Sequence, residues 1–204
     1  MTETPSKGHG LRNAYASVME IQTDRLLLRR FRPTDLEAFV AYRSEKSVAR
    51  FQSWDESYSR SDAERFLIED SKVAPGQPGL WLQLAIEERE TGNLCGDCAV
   101  RVVADQPRTA EVGVTLAPQH QNRGIASEAL RATLDWLFGE RDMHRVYAQA
   151  DDRNEAVHRL LENLGFRLEA RLIDADWFKG EWTTLRTYAV LKEDTKSEAV
   201  RRGK

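Results

Sequence analysis

The sequence predicts a mixed α+β fold in which helices flank a mixed, mostly antiparallel sheet of about seven strands. Strand-like and helix-like runs alternate from Glu20 to Leu191. An antiparallel hairpin comes early and a β-α-β order later, so one sheet must hold strands of both directions. The longer helical runs carry one apolar stripe each, the pattern of a helix laid on a sheet. With 204 residues, 41% of them hydrophobic, the chain can bury a core as one domain. We place that domain at 19–192, between flexible tails at 1–18 and 193–204.

The elements follow in order. Ile21 to Phe31 reads as a strand with Leu26 and Leu28 on one face. Thr34-Asp35-Leu36-Glu37 reads as a capping box opening a helix to about Arg43. Ser61-Asp62-Ala63-Glu64 reads as a second box, its helix running to about Val73. Pro75, Gly76, Pro78 and Gly79 then break the chain. Trp81 to Glu87 and Leu94 to Val103 form a hairpin across Thr91-Gly92-Asn93, and Ala110 to Leu116 is a further strand. Ile125, Ala129, Leu130, Leu134, Leu137 and Phe138 recur at helical spacing, and Val146 to Ala150 is a short strand. Ala156, Val157, Leu160, Leu161 and Leu164 make another stripe, closed by Gly165. Two last strands, about Arg167 to Ile173 and Thr183 to Leu191, flank a turn at Lys179-Gly180.

Composition excludes several functions. A net charge of −3 is at odds with a nucleic-acid partner, which needs a dense basic face. No apolar run is long enough to span a bilayer, and Met1 to Gly10 lacks a signal-like apolar region. The expected location is therefore cytoplasmic, with no membrane partner. Cys95 and Cys98 form a C-x-x-C, but no further ligands stand at zinc spacing, so no metal is expected. The pair lies on a strand, not at the helix start that a redox motif uses, and reads as buried apolar filler.

The most informative stretch is Ala117 to Ala126, which contains Q-x-x-G-x-A between a strand (Val112, Val114, Leu116) and a long helix. A glycine turn at a helix N-terminus aims several backbone N–H groups one way, and with the helix dipole they suit a pyrophosphate.

With these pieces in this order the chain resembles a GNAT-superfamily N-acetyltransferase over nearly all of Glu20 to Leu191. Within the superfamily it resembles the RimJ/RimL-type branch, which includes ribosomal-protein N-terminal acetyltransferases. Three blocks carry the resemblance. They are Thr23-Asp24-Arg25-Leu26-Leu27-Leu28-Arg29, the run from Ala110-Glu111-Val112-Gly113 through Gln121 to Ala129, and Asn154-Glu155-Ala156 through Leu164-Gly165-Phe166.

The resemblance implies acetyl-CoA as cofactor and no metal. Pantetheine would bond to backbone near Leu116 and Ala117, in a gap between splayed strands. The pyrophosphate would sit on the segment of Gln121, Asn122, Arg123, Gly124, Ile125, Ala126 and Ser127. Asn154 would steady the pantetheine arm, a role compatible with capping its helix. The familiar catalytic side chains are replaced: Leu161 stands where many relatives have Tyr, Val157 where the branch often has Ser, and Gln149 where some have Glu.

Two substitutes are candidate catalytic residues. Glu111 would relay a proton from the amine through water, and His158, four residues after Asn154, would transfer one, a task that suits imidazole as a residue type because its unperturbed form titrates near about 6.5. Tyr188 is a further candidate. Phe51, Trp54 and Tyr58, with Trp177, Phe178 and Trp182, would border the acceptor, and Asp55, Glu56 and Asp176 would attract a cationic one. Thr183 stands where the branch often has Asp. The expected activity is acetyl transfer to a primary amine, an N-terminal peptide or protein α-amine first. A small amine (polyamine or aminoglycoside-like) and a non-catalytic acyl-CoA-binding regulatory module are the alternatives, and a homodimer stays open.

Overall fold

In the computed structural model, which describes residues 19–195, the first strand turns back on itself. Strand β1 (Glu20–Gln22) and β2 (Leu26–Arg29) pair antiparallel. Thr23 N donates to Leu26 O at 2.9 Å, and Leu26 N donates to Thr23 Oγ1 at 2.9 Å. The hydroxyl then donates to Glu128 Oε1 at 2.6 Å. That side-chain turn splits the single strand expected over 21–31, so the sheet has eight strands rather than about seven.

The first helix, α1 (Leu36–Arg43), has no Thr34 capping box. Pro33–Asp35 forms a 3-10 turn instead. Asp35 accepts from Arg32 N at 2.7 Å and from the Arg29 guanidinium at 2.7 and 2.9 Å. Arg29 is buried, and a buried cation requires its carboxylates more than a helix end requires its cap. A four-residue helix, α2 (Lys46–Ala49), follows, and the sequence pattern is too short to show it. Helix α3 (Arg60–Ser71) opens earlier than expected, capped by Ser59 in a box with Asp62 rather than by Ser61 with Glu64.

Strands β3 (Trp81–Glu88) and β4 (Leu94–Val102) form the expected hairpin, and β5 (Thr109–Leu116) pairs with β4. Helix α4 (Ile125–Gly139), β6 (Arg145–Asp151) and α5 (Glu155–Asn163) come next. A last hairpin, β7 (Arg167–Phe178) and β8 (Glu181–Leu191), closes on Lys179 and Gly180. Both turn residues have positive φ, +50° and +87°, as a two-residue hairpin turn requires. Residues 193–195, expected in the tail, belong to a helical turn over 192–195, while 1–18 and 196–204 lie outside the described residues.

The sheet order is β1-β2-β3-β4-β5-β6-β8-β7, antiparallel except for β5 beside β6. That parallel pair is short: Thr109↔Arg145, Ala110↔Val146 and Glu111↔Tyr147. Beyond it β5 stays with β4 as far as Gly96↔Leu116, and β6 stays with β8 as far as Asp151↔Leu185. The two central strands therefore part, leaving their facing edges without ladder partners. One apolar cluster joins the sheet to Leu130, Leu134 and Leu137 of α4 and Leu161 of α5. The other joins Ala85, Leu94 and Ala117 to Leu36, Phe39 and Tyr42 of α1 and Ala63 of α3.

Candidate active site

The turn before α4 is built on two left-handed residues, Asn122 (φ +58°) and Gly124 (φ +76°). Gly124 is the N-cap and has no side chain to close the helix end. The first intrahelical bond is Glu128 N to Gly124 O, at 3.0 Å. The N–H groups of Ile125, Ala126 and Ser127 thus lack intrahelical acceptors, and the helix dipole adds to their positive field. An acidic residue in this first turn would spoil an anion site, but Glu128 is engaged elsewhere. Against the cost of partial burial, hydrogen bonds from Thr23 and Arg25 hold its carboxyl below the usual range.

These groups open on a cleft of about 500 Å3 between the ends of β5, α4 and α5. Asn154 stands at its far side as the N-cap of α5, its Oδ1 accepting from Val157 N at 3.4 Å. Ala156, Arg159 and Asn163 follow along the same helix face. Arg159 is the one charged side chain lining the cleft, and it has no ion-pair partner among the described residues.

The parting of β5 and β6 opens a second cavity, of about 620 Å3. Phe51, Gln52, Val114, Thr115, Asn154, Val157 and Leu160 line both spaces, so the two meet along the free edge of β5. Cross-strand register sets Gln83, Asp97, Ala99, Gly113 and Thr115 on one sheet face, under the end of α1.

An aromatic box stands there, already filled. The Arg43 guanidinium lies 3.8 Å from the Trp54 ring centroid, 4.2 Å from Phe39, 4.8 Å from Phe66 and 5.3 Å from Tyr58. It is 3% exposed and 3.6 Å from Asp97, which also accepts from the Tyr42 hydroxyl. Burial pushes the Asp97 carboxyl up, and Arg43 and Tyr42 only partly offset this. Asp151, the other acidic residue lining the cavity, is bound by Arg153 at 2.6 Å, which holds its pKa down.

Residues 25–167 match the family model of the acetyltransferase (GNAT) domain. The chain belongs to the GNAT acetyltransferase family. An uncharacterised N-acetyltransferase of Bacillus subtilis (strain 168), YoaA, is 28% identical over 172 residues, covering 84% of this chain and 96% of that one. A crystal structure of a GNAT acetyltransferase from Bacillus anthracis superposes with a TM-score of 0.76 at 28% identity, covering 86% of this chain and 99% of that one. The spermidine N-acetyltransferase of Vibrio cholerae, in complex with CoA and spermine, shares the fold with a TM-score of 0.72 at 20% identity, over 84% of this chain and 98% of that one. This GNAT chain is an acyltransferase.

Most of the sequence-derived cofactor residues converge. Leu116, Gln121, Asn122, Gly124, Ile125, Ala126, Ser127 and Asn154 all line the cleft. Ala117 does not: it is buried, and its N–H donates to Cys95 O at 2.9 Å. Nor does Arg123, whose guanidinium turns to Glu88 at 3.1 Å and His120 at 3.3 Å.

The two catalytic candidates lie off both spaces. Glu111 shares the cavity's sheet face but sits where β5 and β6 still pair, held by Arg101 and by the Tyr147 hydroxyl at 3.1 Å. His158 is buried, stacked on Tyr188 with centroids 5.5 Å apart, and its Nε2 faces Asp152 O at 3.2 Å. Helical i,i+4 spacing does not carry it to Asn154's side, because Asn154 is a cap with non-helical φ and ψ of −89° and 69°. Tyr188 is fully buried and donates to Glu162 at 3.3 Å.

Sequence reasoning missed Arg43 and Arg159. Arg43 continues the buried Leu36, Phe39, Tyr42 face of α1, and Arg159 falls three residues after Ala156. Helix-face counting on these two elements would find both. Cys95 and Cys98 are buried free thiols, as their strand position implies. Among the described residues no helix is long and apolar enough to cross a membrane, and no cluster of His, Cys, Asp and Glu could hold a metal ion.

Proposed function

We propose that this acyltransferase acetylates the α-amine at the N-terminus of a polypeptide, in the manner of the RimJ/RimL-type branch. The observation that carries this reading is the state of charge around the 620 Å3 cavity. Both carboxylates that line it are ion-paired, and Arg43 lies on its Trp54, Tyr58 and Phe66 rings. A polyamine, the second reading, brings a further ammonium that would find no free carboxylate here. A peptide N-terminus brings one amine flanked by neutral amide groups.

The chemistry agrees. A terminal α-amine has a pKa of about 7.7–8.0, against about 10.4 for a Lys-type amine. A good share of the α-amine is therefore neutral near physiological pH, and positioning supplies much of the remaining rate. No unengaged carboxylate or His lines the cavity among the described residues, which suits an acceptor that needs no strong base.

GNAT acetyltransferases use acetyl-CoA, which supplies an activated thioester carbonyl. The uncapped start of α4 and the unpaired edge of β5 fit such a group. The N–H groups of Ile125, Ala126 and Ser127 would hold its pyrophosphate, and Arg159 would add a positive charge. Asn154 would accept or donate at its amide arm, while the free backbone of Val114 to Leu116 would fix that arm along the gap. Val157 and Leu160 would keep water from the meeting point of the two spaces.

The test is CoA thiol release at pH 7.5 with free and N-formylated peptides and with spermidine. Release with the free peptide alone is the expected result, even where the blocked peptide carries lysine. Release with spermidine, and none with the free α-amine, would overturn the reading.

A further inference from the structure

One side chain on the β7–β8 turn fastens a wall of the 620 Å3 cavity. Lys179 belongs to the two-residue turn between β7 and β8, and its ammonium has three N–H donors. Each has an acceptor between the last residue of α2 and Asp55: Ala49 O at 2.8 Å, Trp54 O at 2.7 Å and Asp55 Oδ1 at 3.1 Å. The two carbonyls bracket residues 50–53. Within the bracket, Phe51, Gln52 and Ser53 line the cavity, as does Trp54 itself. The Trp54 ring lies on Arg43, and its Nε1 donates to Arg43 O at 3.0 Å. The stretch between α2 and α3 holds no helix or strand, and the ammonium ties both ends of the 50–53 loop to the β7–β8 turn.

We propose that Lys179 is a positioning residue for the acceptor, latching the β7–β8 turn to the Ala49–Asp55 segment and so setting the cavity wall through Trp54. The inference rests on the cavity being the acceptor site. A short connection held at both ends stays in one conformation, and an acceptor that meets a preformed wall loses less binding energy to ordering it. The phosphate end of the cofactor cleft, at α4 and α5, lies outside the latch.

The test compares Lys179→Met, which keeps the stem and removes the ammonium, with Lys179→Arg, which restores charge and donors. For Lys179→Met we expect KM for a free-N-terminal peptide to rise about tenfold, with kcat within about twofold and acetyl-CoA affinity within about threefold. Amide hydrogen exchange should accelerate over 50–58 and stay unchanged in β3 to β5. Lys179→Arg should recover most of the KM. Wild-type KM and exchange in Lys179→Met would overturn the proposal. So would exchange rising throughout the chain while KM, kcat and acetyl-CoA affinity fail together, the sign of general destabilisation. If spermidine proves to be the acceptor, the α-amine reading falls, while KM for spermidine and exchange over 50–58 still decide the latch.

Discussion

Arg43 shows how one buried side chain can define a cavity by occupying it. Its charge is balanced by Asp97, its faces are covered by Trp54, Phe39 and Phe66, and its Nε has no conventional acceptor. Removing one member of such a pair leaves the other charge buried and uncompensated, which costs about 3–5 kcal/mol. We therefore expect Arg43→Leu to lose stability of that order in urea unfolding, and Arg43→Leu with Asp97→Leu to recover a large part of it. Additive losses in the double variant would show that the pair is not coupled. Asn154 illustrates the opposite economy, since it caps α5 and lines the cleft at once.

Among the elements, those with long periodic stripes are legible in the sequence. The β3–β4 hairpin, α4 and α5 fall where alternation and helical spacing place them. What escapes depends on partners distant along the chain. The Thr23 turn is tied to Glu128, and Asp35 serves Arg29 before it serves a helix end. Arg123 reads as a phosphate ligand because it lies inside the motif, yet Glu88 on β3 draws it away.

The same logic separates two glycines. At Gly124 only the positive φ resists a side chain, because a Cβ there would meet nothing nearer than Arg25 Nη2 at 3.5 Å. Gly124→Ala should thus cost about 1–2 kcal/mol. At Gly96 a Cβ would fall 2.0 Å from Thr115 O and 2.8 Å from Leu116 Cα, against the end of β5 that borders the 500 Å3 cleft proposed for acetyl-CoA. Gly96→Ala must displace that backbone, so it should destabilise more than Gly124→Ala and weaken acetyl-CoA binding by calorimetry. Equal losses in the two variants would mean that β5 yields freely at Leu116.

For the whole molecule, burial and pairing set opposite pH limits. Arg153 holds the Asp151 carboxyl low, and Arg171 and Arg186 do the same for Asp152. Stability from such depressed groups is present above the ordinary carboxylate range and is lost as pH falls through their lowered values. Burial raises Asp70 and Asp97, which bind protons earlier in the folded state and so soften the first part of an acid descent. The alkaline side is set by different groups. Burial on β4 pushes the Cys95 thiol up to about 11 and the Cys98 thiol up to about 12. In the unfolded chain these thiols ionise near about 8.5, so the unfolded state sheds protons that the folded state keeps, and stability falls from there toward the folded values. Tyr42, Tyr58 and Tyr147 are raised as well, chiefly by burial, but unfolded phenols ionise only near about 10. The interval between those two onsets therefore belongs to the thiols. We expect the urea midpoint of the wild-type chain to decline across that interval, and that of a Cys95→Ala, Cys98→Ala variant, though lower throughout, to stay level until the phenols begin to ionise. Parallel declines in the two proteins would assign the alkaline limb to groups other than this buried pair.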